Sequence, residues 1–291
     1  MRFIRNWKKR LMKLGVITDC FKTNLEESIR LASELGLNGV QIYATTGEFS
    51  PDTLTIEKKA FYKNLLIEKG LTVSALCADM GGHGFEIEKD NKIRVEKTKR
   101  IIDLASEFGA KVITTHIGVI PEDKNEPRYK VMLESLTECG LYAKEKGITL
   151  AIETGPEKAT TLLQFIKNTK GGVGVNLDPA NFVMVTDQDP VEAVYLLKDY
   201  IVHTHLKDGI LLHKTDPKII YDYFAEGGIE QLNISNYFIE TPVGEGHVNF
   251  KKYIKALKDI NYNGFLTIER ETGQEPLKDI KQAISFIIPL I

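Results

Sequence analysis

The sequence predicts a single (β/α)8 barrel, an α/β fold, with a long insertion after its seventh strand. Three observations carry that expectation. Short apolar runs alternate with longer charged, amphipathic stretches eight times. Alternation of this kind gives a parallel sheet, and eight units close it into a barrel. No Pro-, Gly- or Ser-rich linker divides the chain near its middle, and the stretch after the seventh run, from His205 to about Asn249, is too long for an ordinary connection.

The strands are expected, in order, over 14–18, 39–43, 72–77, 112–116, 149–153, 173–178, 201–205 and 265–269. Amphipathic stretches over 25–35, 90–107, 129–146, 190–198 and 250–260 supply helices between them, and a last helix runs over about 276–288. Gly36, Gly70, Gly147 and Asn263-Gly264 stand before the second, third, fifth and eighth strands. Glycine there provides the left-handed cap that turns a helix end back toward the sheet. Within the insertion, 216–225 is expected to form a short helix. A segment of this length after a strand's carboxyl end lies on the face where barrel enzymes work.

Residues 1–13, MRFIRNWKKRLMK, form a basic N-terminal extension, and 14–291 form the barrel. The extension holds six of the 38 basic residues and none of the 40 acidic ones. It has no apolar core of ~7–15 residues, so this segment is not expected to act as a secretory signal. The formal charge of −2 over 291 residues gives no global reason to bind nucleic acid or an acidic membrane. No run of ~18 uncharged apolar residues is present. Cys20, Cys77 and Cys139 are far apart, with no CxxC pair, which fits three reduced thiols in a cytoplasmic protein.

Four strand ends carry the chemistry. The fifth strand reads Ile148-Thr-Leu-Ala-Ile-Glu153, the sixth Val173-Gly-Val-Asn-Leu-Asp178, the seventh Ile201-Val-His-Thr-His205 and the eighth Phe265-Leu-Thr-Ile-Glu269. Side chains alternate faces along a strand. With Ile152, Leu177, Thr204 and Ile268 facing outward, Glu153, Asp178, His205 and Glu269 point to the barrel axis. Three carboxylates converging without a cation repel one another, and one divalent ion relieves the conflict. Oxygen donors with one nitrogen suit Mn²⁺, Mg²⁺ or Co²⁺ better than a structural zinc. Each residue also has a plainer account: a glutamate can open a solvated loop, Asp178 before Pro179 can cap a helix, and His205 can be a hydrogen-bonded core histidine. It is their shared position at four strand ends that favours a metal site.

The phrases AIETG, VNLDPAN, VHTHLKDG and GFLTIERE resemble the xylose isomerase-like TIM barrels, the sugar phosphate isomerase/epimerase group. KLGVITDCF, ELGLNGVQIYA and THIG support the likeness, which covers essentially everything after Lys13. The resemblance implies one divalent ion on Glu153, Asp178, His205 and Glu269, with Mn²⁺ the first choice and Mg²⁺, Co²⁺ or Zn²⁺ the others. It implies a small carbohydrate or sugar-phosphate substrate and allows a homodimer or homotetramer, while the near-neutral charge sets the expectation of no nucleic-acid or membrane partner.

The chemistry implied is proton abstraction next to a carbonyl through a metal-stabilised enediolate, with Glu153 and Glu269 on opposite sides of the substrate. His116, Asn181 and Lys207 are the substrate-binding candidates. His116 ends the fourth strand, and Lys207 could hold a phosphate or a developing oxyanion. Asn181 stands where several epimerase relatives carry a substrate-touching histidine, a departure that weighs against a simple ketose 3-epimerase. His203, one layer below His205, is expected to support the site rather than ligate. Gly81-Gly82-His83-Gly84 reads as loop, and His247 in Gly244-Glu245-Gly246-His247 as a turn residue at the pocket rim. The alternative activity is a dehydratase or lyase acting on a keto-inositol, dehydroshikimate-like or 3-oxo-glycoside substrate. The AP-endonuclease branch needs more histidine ligands than this chain offers at Cys77 and Asn181.

Overall fold

The computed structural model describes residues 12–291. The basic extension therefore lies outside the described residues up to position 11. Met12 is buried and Lys13 already opens the first strand, one residue earlier than expected.

Eight parallel strands close into a barrel: β1 (Lys13–Ile17), β2 (Gly39–Tyr43), β3 (Thr72–Cys77), β4 (Val112–Thr115), β5 (Thr149–Glu153), β6 (Val173–Leu177), β7 (Ile201–Leu206) and, eighth around the ring, β10 (Phe265–Ile268). The ring closes where β10 pairs with both β1 and β7. Between the strands run α1 (Leu25–Glu34), α2 (Ile56–Glu68), α3 (Glu88–Phe108), α4 (Pro127–Glu145), α5 (Ala159–Asn168), the short turn α6 (Pro179–Asn181) and α7 (Pro190–Leu196). Local chemistry sets the helix ends. Asn24 accepts the Glu27 amide at 2.9 Å to cap α1, Pro127 and Pro190 open α4 and α7, and Gly109 ends α3 at φ +73.

The barrel interior is filled in tiers. At the bottom, Phe265 occupies the space left by Gly15 and Gly39; a Cβ at Gly39 would lie 2.8 Å from the ring and 2.6 Å from the Thr72 carbonyl. The middle tier is polar and cross-bonded. Gln41 Nε2 donates to Thr114 Oγ1 at 3.2 Å, and Thr267 Oγ1 bonds His203 Nε2 at 2.9 Å. Outside the strands, one large apolar core packs them against the helices. No helix among the described residues is long and apolar enough to cross a membrane.

The insertion after β7 is an antiparallel pair, β8 (Asp208–Leu211) and β9 (Phe238–Thr241), with α8 (Pro217–Ala225) between them. It returns through the Gly244–His247 turn to α9 (Phe250–Asp259), and α10 (Pro276–Ile287) follows β10. Asp208 anchors this return. Its buried carboxylate accepts four backbone amides, from Gly209, Gly244, Gly246 and Val248, at 2.9–3.1 Å. A Cβ on Gly246 would sit 2.2 Å from Asp208 Oδ1, so the turn needs glycine there. His247 gives its amide to the Gly209 carbonyl at 2.8 Å and is not among the cavity-lining residues, contrary to its expected place at the rim.

Removing the anchor leaves four donors without their acceptor, of which the buried Gly209 and Val248 amides each cost ~1–3 kcal/mol if water cannot reach them. Asp208→Ala is expected to lose about 3 kcal/mol of stability and to open 208–248 to proteolysis at temperatures where the parent protein resists. Denaturant titration and limited digestion measure both effects.

Candidate metal centre and active site

The carboxyl ends of β5, β6, β7 and β10 bring Glu153, Asp178, His205 and Glu269 together. One ligand atom from each lies within 4.8 Å of all the others, and all four residues are buried. Strand stagger makes this possible. Glu153 pairs with Asn176, and His205 with Thr267, so side chains two residues further along β6 and β10 reach the same height.

Three of the inward atoms have no hydrogen-bond partner: His205 Nδ1, Asp178 Oδ2 and Glu269 Oε2. His205 Nδ1 lies 2.7 Å from Glu269 Oε2, 3.4 Å from Glu153 Oε1 and 3.6 Å from Asp178 Oδ2. Asp178 divides its oxygens. Oδ1 caps α6 by accepting the Ala180 and Asn181 amides at 2.7 and 3.1 Å, leaving Oδ2 for the centre. One carboxylate thus both caps the helix and turns a free oxygen to the centre. Unpaired buried acceptors around one point are what a cation satisfies, so the four residues fit a metal ion.

The electrostatics agree. Burial alone would push His205 down, but Glu153 and Glu269 hold it well above the ordinary histidine value. Burial pushes Glu153 up, yet His205 and His116 outweigh it and hold the carboxyl low. Glu269 is likewise held low against burial, by Lys207 and then His205. His203 is driven to about 3 by burial and then by the neighbouring His205 charge, so it stays neutral. Its ring meets that of His205 edge-on, with centroids 5.9 Å apart.

Two amides that the sequence reading did not single out support the centre. Gln41 Oε1 at 3.2 Å and Asn176 Nδ2 at 3.1 Å both contact His205 Nε2, and together they hold the imidazole ring with Nδ1 turned inward. Asn176 Nδ2 donates to Glu153 Oε2 at 3.1 Å. Both residues sit at register irregularities, Val40/Gln41 against β3 and Val175/Asn176 against β7, and such irregularities re-aim side chains. A buried amide inside an apolar strand was the available sequence signal.

The substrate-binding candidates all line one cavity of about 650 Å³ above the centre. His116 is a third exposed and its Nε2 lies 3.6 Å from Glu153 Oε1. Burial lowers its pKa, but Glu153, Asp79 and Glu269 together raise it. Asn181 spends its amide nitrogen on the Thr154 carbonyl at 2.9 Å, tying the β5 and β6 ends. Lys207 is buried and reaches Glu271 at 2.8 Å, Glu269 at 3.4 Å and Glu240 at 4.0 Å. Gly81 and Gly82 line the same cavity, and Tyr221 and His83 tie that loop to α8 through bonds to Gly82 O and Glu226 Oε1.

A family model described as xylose isomerase-like TIM barrel matches residues 29–290. The chain belongs to that family. A protein of Haemophilus influenzae, SgbU, provisionally assigned as an L-ribulose-5-phosphate 3-epimerase, is 24% identical over 95% of this chain and 95% of its own. An inosose dehydratase of Bacillus anthracis is 23% identical over 84% of this chain and 81% of its own. Among solved structures, a xylose isomerase domain protein from Planctomyces limnophilus superposes with a TM-score of 0.78 at 25% identity, covering 97% of both chains.

Two outcomes follow from this geometry. Mn²⁺ at ~100 times its Kd is expected to stabilise the fold by ~2.7 kcal/mol, several degrees in Tm. Asp178→Asn, which keeps the capping oxygen, is expected to abolish that response; a variant that still responds removes Asp178 from the ligand set. Separately, buried Glu157 has an unpartnered Oε1, and burial raises its carboxyl from 4.5 to about 7. The folded state therefore holds a proton that the unfolded chain gives up, and stability falls as pH rises from 4.5 through 7. Glu157→Gln is expected to gain up to about 3 kcal/mol at pH 8 and little at pH 4, read from denaturant midpoints at the two pH values.

Proposed function

We propose that the protein is a divalent-metal-dependent sugar isomerase or epimerase that moves a proton on the carbon next to a carbonyl. The observation that carries this reading is the pairing of Glu153 and Glu269 across one buried centre. They stand on β5 and after β10, with β6 and β7 between them in the ring, so they approach a bound substrate from different sides. The three carboxylates and one imidazole fit Mn²⁺ first, then Mg²⁺, Co²⁺ or Zn²⁺. When bound, such an ion supplies Lewis-acid polarisation of a carbonyl and its neighbouring hydroxyl.

The chain's own groups then divide the work. One glutamate takes the carbon-bound proton, and the other stands ready to return one from the opposite face. Lys207 lies 3.4 Å from Glu269 Oε1 and holds that carboxyl ionised, as a base requires. His116, beside Glu153, reaches the cavity as a hydrogen-bond donor to a substrate hydroxyl. The insertion forms one wall of the pocket beside this centre. Likeness to SgbU favours epimerisation. Likeness to inosose dehydratase favours a second reading, in which the same proton removal is followed by loss of water.

The test is a panel of ketoses, ketose phosphates and keto-inositols in D₂O, with and without Mn²⁺. Metal-dependent uptake of deuterium at carbon without loss of water supports the isomerase reading, and loss of water supports the dehydratase. Glu269→Gln is expected to keep its circular dichroism spectrum and Tm while turnover drops at least ~100-fold. Unchanged turnover would take Glu269 out of the mechanism.

A further inference from the structure

The cavity has two differently built halves. Its floor is the acidic centre. Its outer wall comes from the insertion and the turn after α6, and it is apolar: Met184, Ile220, Phe224, Ile234, Phe238 and Ile239 line it. Phe224 and Ile239 are 60% and 46% exposed, and the Phe224 and Phe238 rings lie 6.5 Å apart at a tilt of 38°. Large apolar side chains gathered on one wall of a polar cavity mark a surface meant to be covered. The volume, about 650 Å³, falls well inside the ~300–1,000 Å³ range of pockets for drug-sized ligands, more than an unsubstituted monosaccharide requires.

Charge constrains the same ligand. Asp79, Glu153, Glu240, Glu269 and Glu271 line the cavity, and Asp178 lies at its base. Lys207 is the one Lys or Arg among the lining residues, and three of those carboxylates already surround it. Nearby Arg270 is taken up by Glu240 and Asp279 at 2.7 and 2.9 Å. Even with a divalent ion bound, the chamber stays net negative. A phosphate ester would enter against that field and meet no unpaired guanidinium or ammonium among the lining residues.

We infer that the substrate is an uncharged keto sugar carrying an apolar substituent, a glycoside with an aromatic or aliphatic aglycone, whose sugar ring sits over the acidic centre and whose aglycone lies on the wall around Phe224 and Ile239. This rests on the sugar isomerase reading above and narrows it away from sugar phosphates.

Three probes test it with the full-length protein and Mn²⁺: 3-oxo-glucose, its 6-phosphate, and phenyl 3-oxo-β-glucoside. Calorimetry gives affinity and deuterium uptake in D₂O gives turnover. The phenyl glucoside is expected to bind at least about tenfold more tightly than 3-oxo-glucose, from burial of the ring, and the 6-phosphate about tenfold more weakly. Phe224→Ala, at an exposed helix position, is expected to cut the phenyl advantage below about threefold. Sedimentation of the parent protein and Phe224→Ala checks the wall itself; an assembly lost on substitution would assign the wall to a second copy of the chain and overturn the inference. Exchange on 3-oxo-glucose with no phenyl advantage, or with the phosphate bound best, overturns this inference alone. No exchange or binding with any of the three, nor with the ketose panel, overturns it together with the proposed function.

Discussion

The structure turns on one electrostatic constraint: three carboxylates and an imidazole are buried at one point. Charges removed from water are stable only where opposite charge and hydrogen bonds replace hydration. The surroundings supply part of that. Lys207 stands beside Glu269, and Asn176 bonds Glu153. The orphaned atoms are the part left unsupplied, and they all face the same space. The polar middle tier of the barrel follows from this arrangement, since an apolar layer there would strip Glu153 and His205 of their fixed partners.

Closure of the barrel converts sequence positions into a site. The four residues of the centre come from four strands spread over more than a hundred residues, and only ring closure with stagger brings them to one height. The insertion depends on the same strand ends. Asp208 begins β8 three residues after His205, and its carboxylate binds the returning turn, so the apolar wall is fastened next to the centre rather than hung from a mobile loop.

Much of this was legible in the residues. Alternation of faces at Ile152-Glu153, Leu177-Asp178 and Ile268-Glu269 was enough to aim the carboxylates inward, because parity along a strand is rigid. Gln41 and Asn176 were not singled out, since each is a lone polar residue in an apolar strand and its partner lies on a strand distant in sequence. Both also sit where strand register shifts, a property of the paired sheet and not of one strand. The β8–β9 pair was hidden for a different reason: four-residue strands with a helix between them carry too little periodicity. α2 was blurred because Ile56 and Ile67 face solvent and spoil the apolar stripe.

The two glutamates are not equivalent, and the difference bears on the proposed chemistry. Glu269 has a fixed, buried ammonium at 3.4 Å. Glu153 has Asn176 on one oxygen and His116 at 3.6 Å from the other, with His116 open to the cavity. A carboxylate beside a permanent charge keeps its proton affinity low throughout a reaction cycle. One beside an imidazole that substrate can approach has an affinity that changes as the imidazole gains or loses its proton. The pair is therefore suited to a directional hand-over, with the environment of Glu153 adjusting to the ligand while that of Glu269 stays fixed. Lys207 gives Glu269 this constancy because Glu271 and Glu240 hold the ammonium in place from the far side, which also leaves it little capacity to bind an anion of the substrate's own.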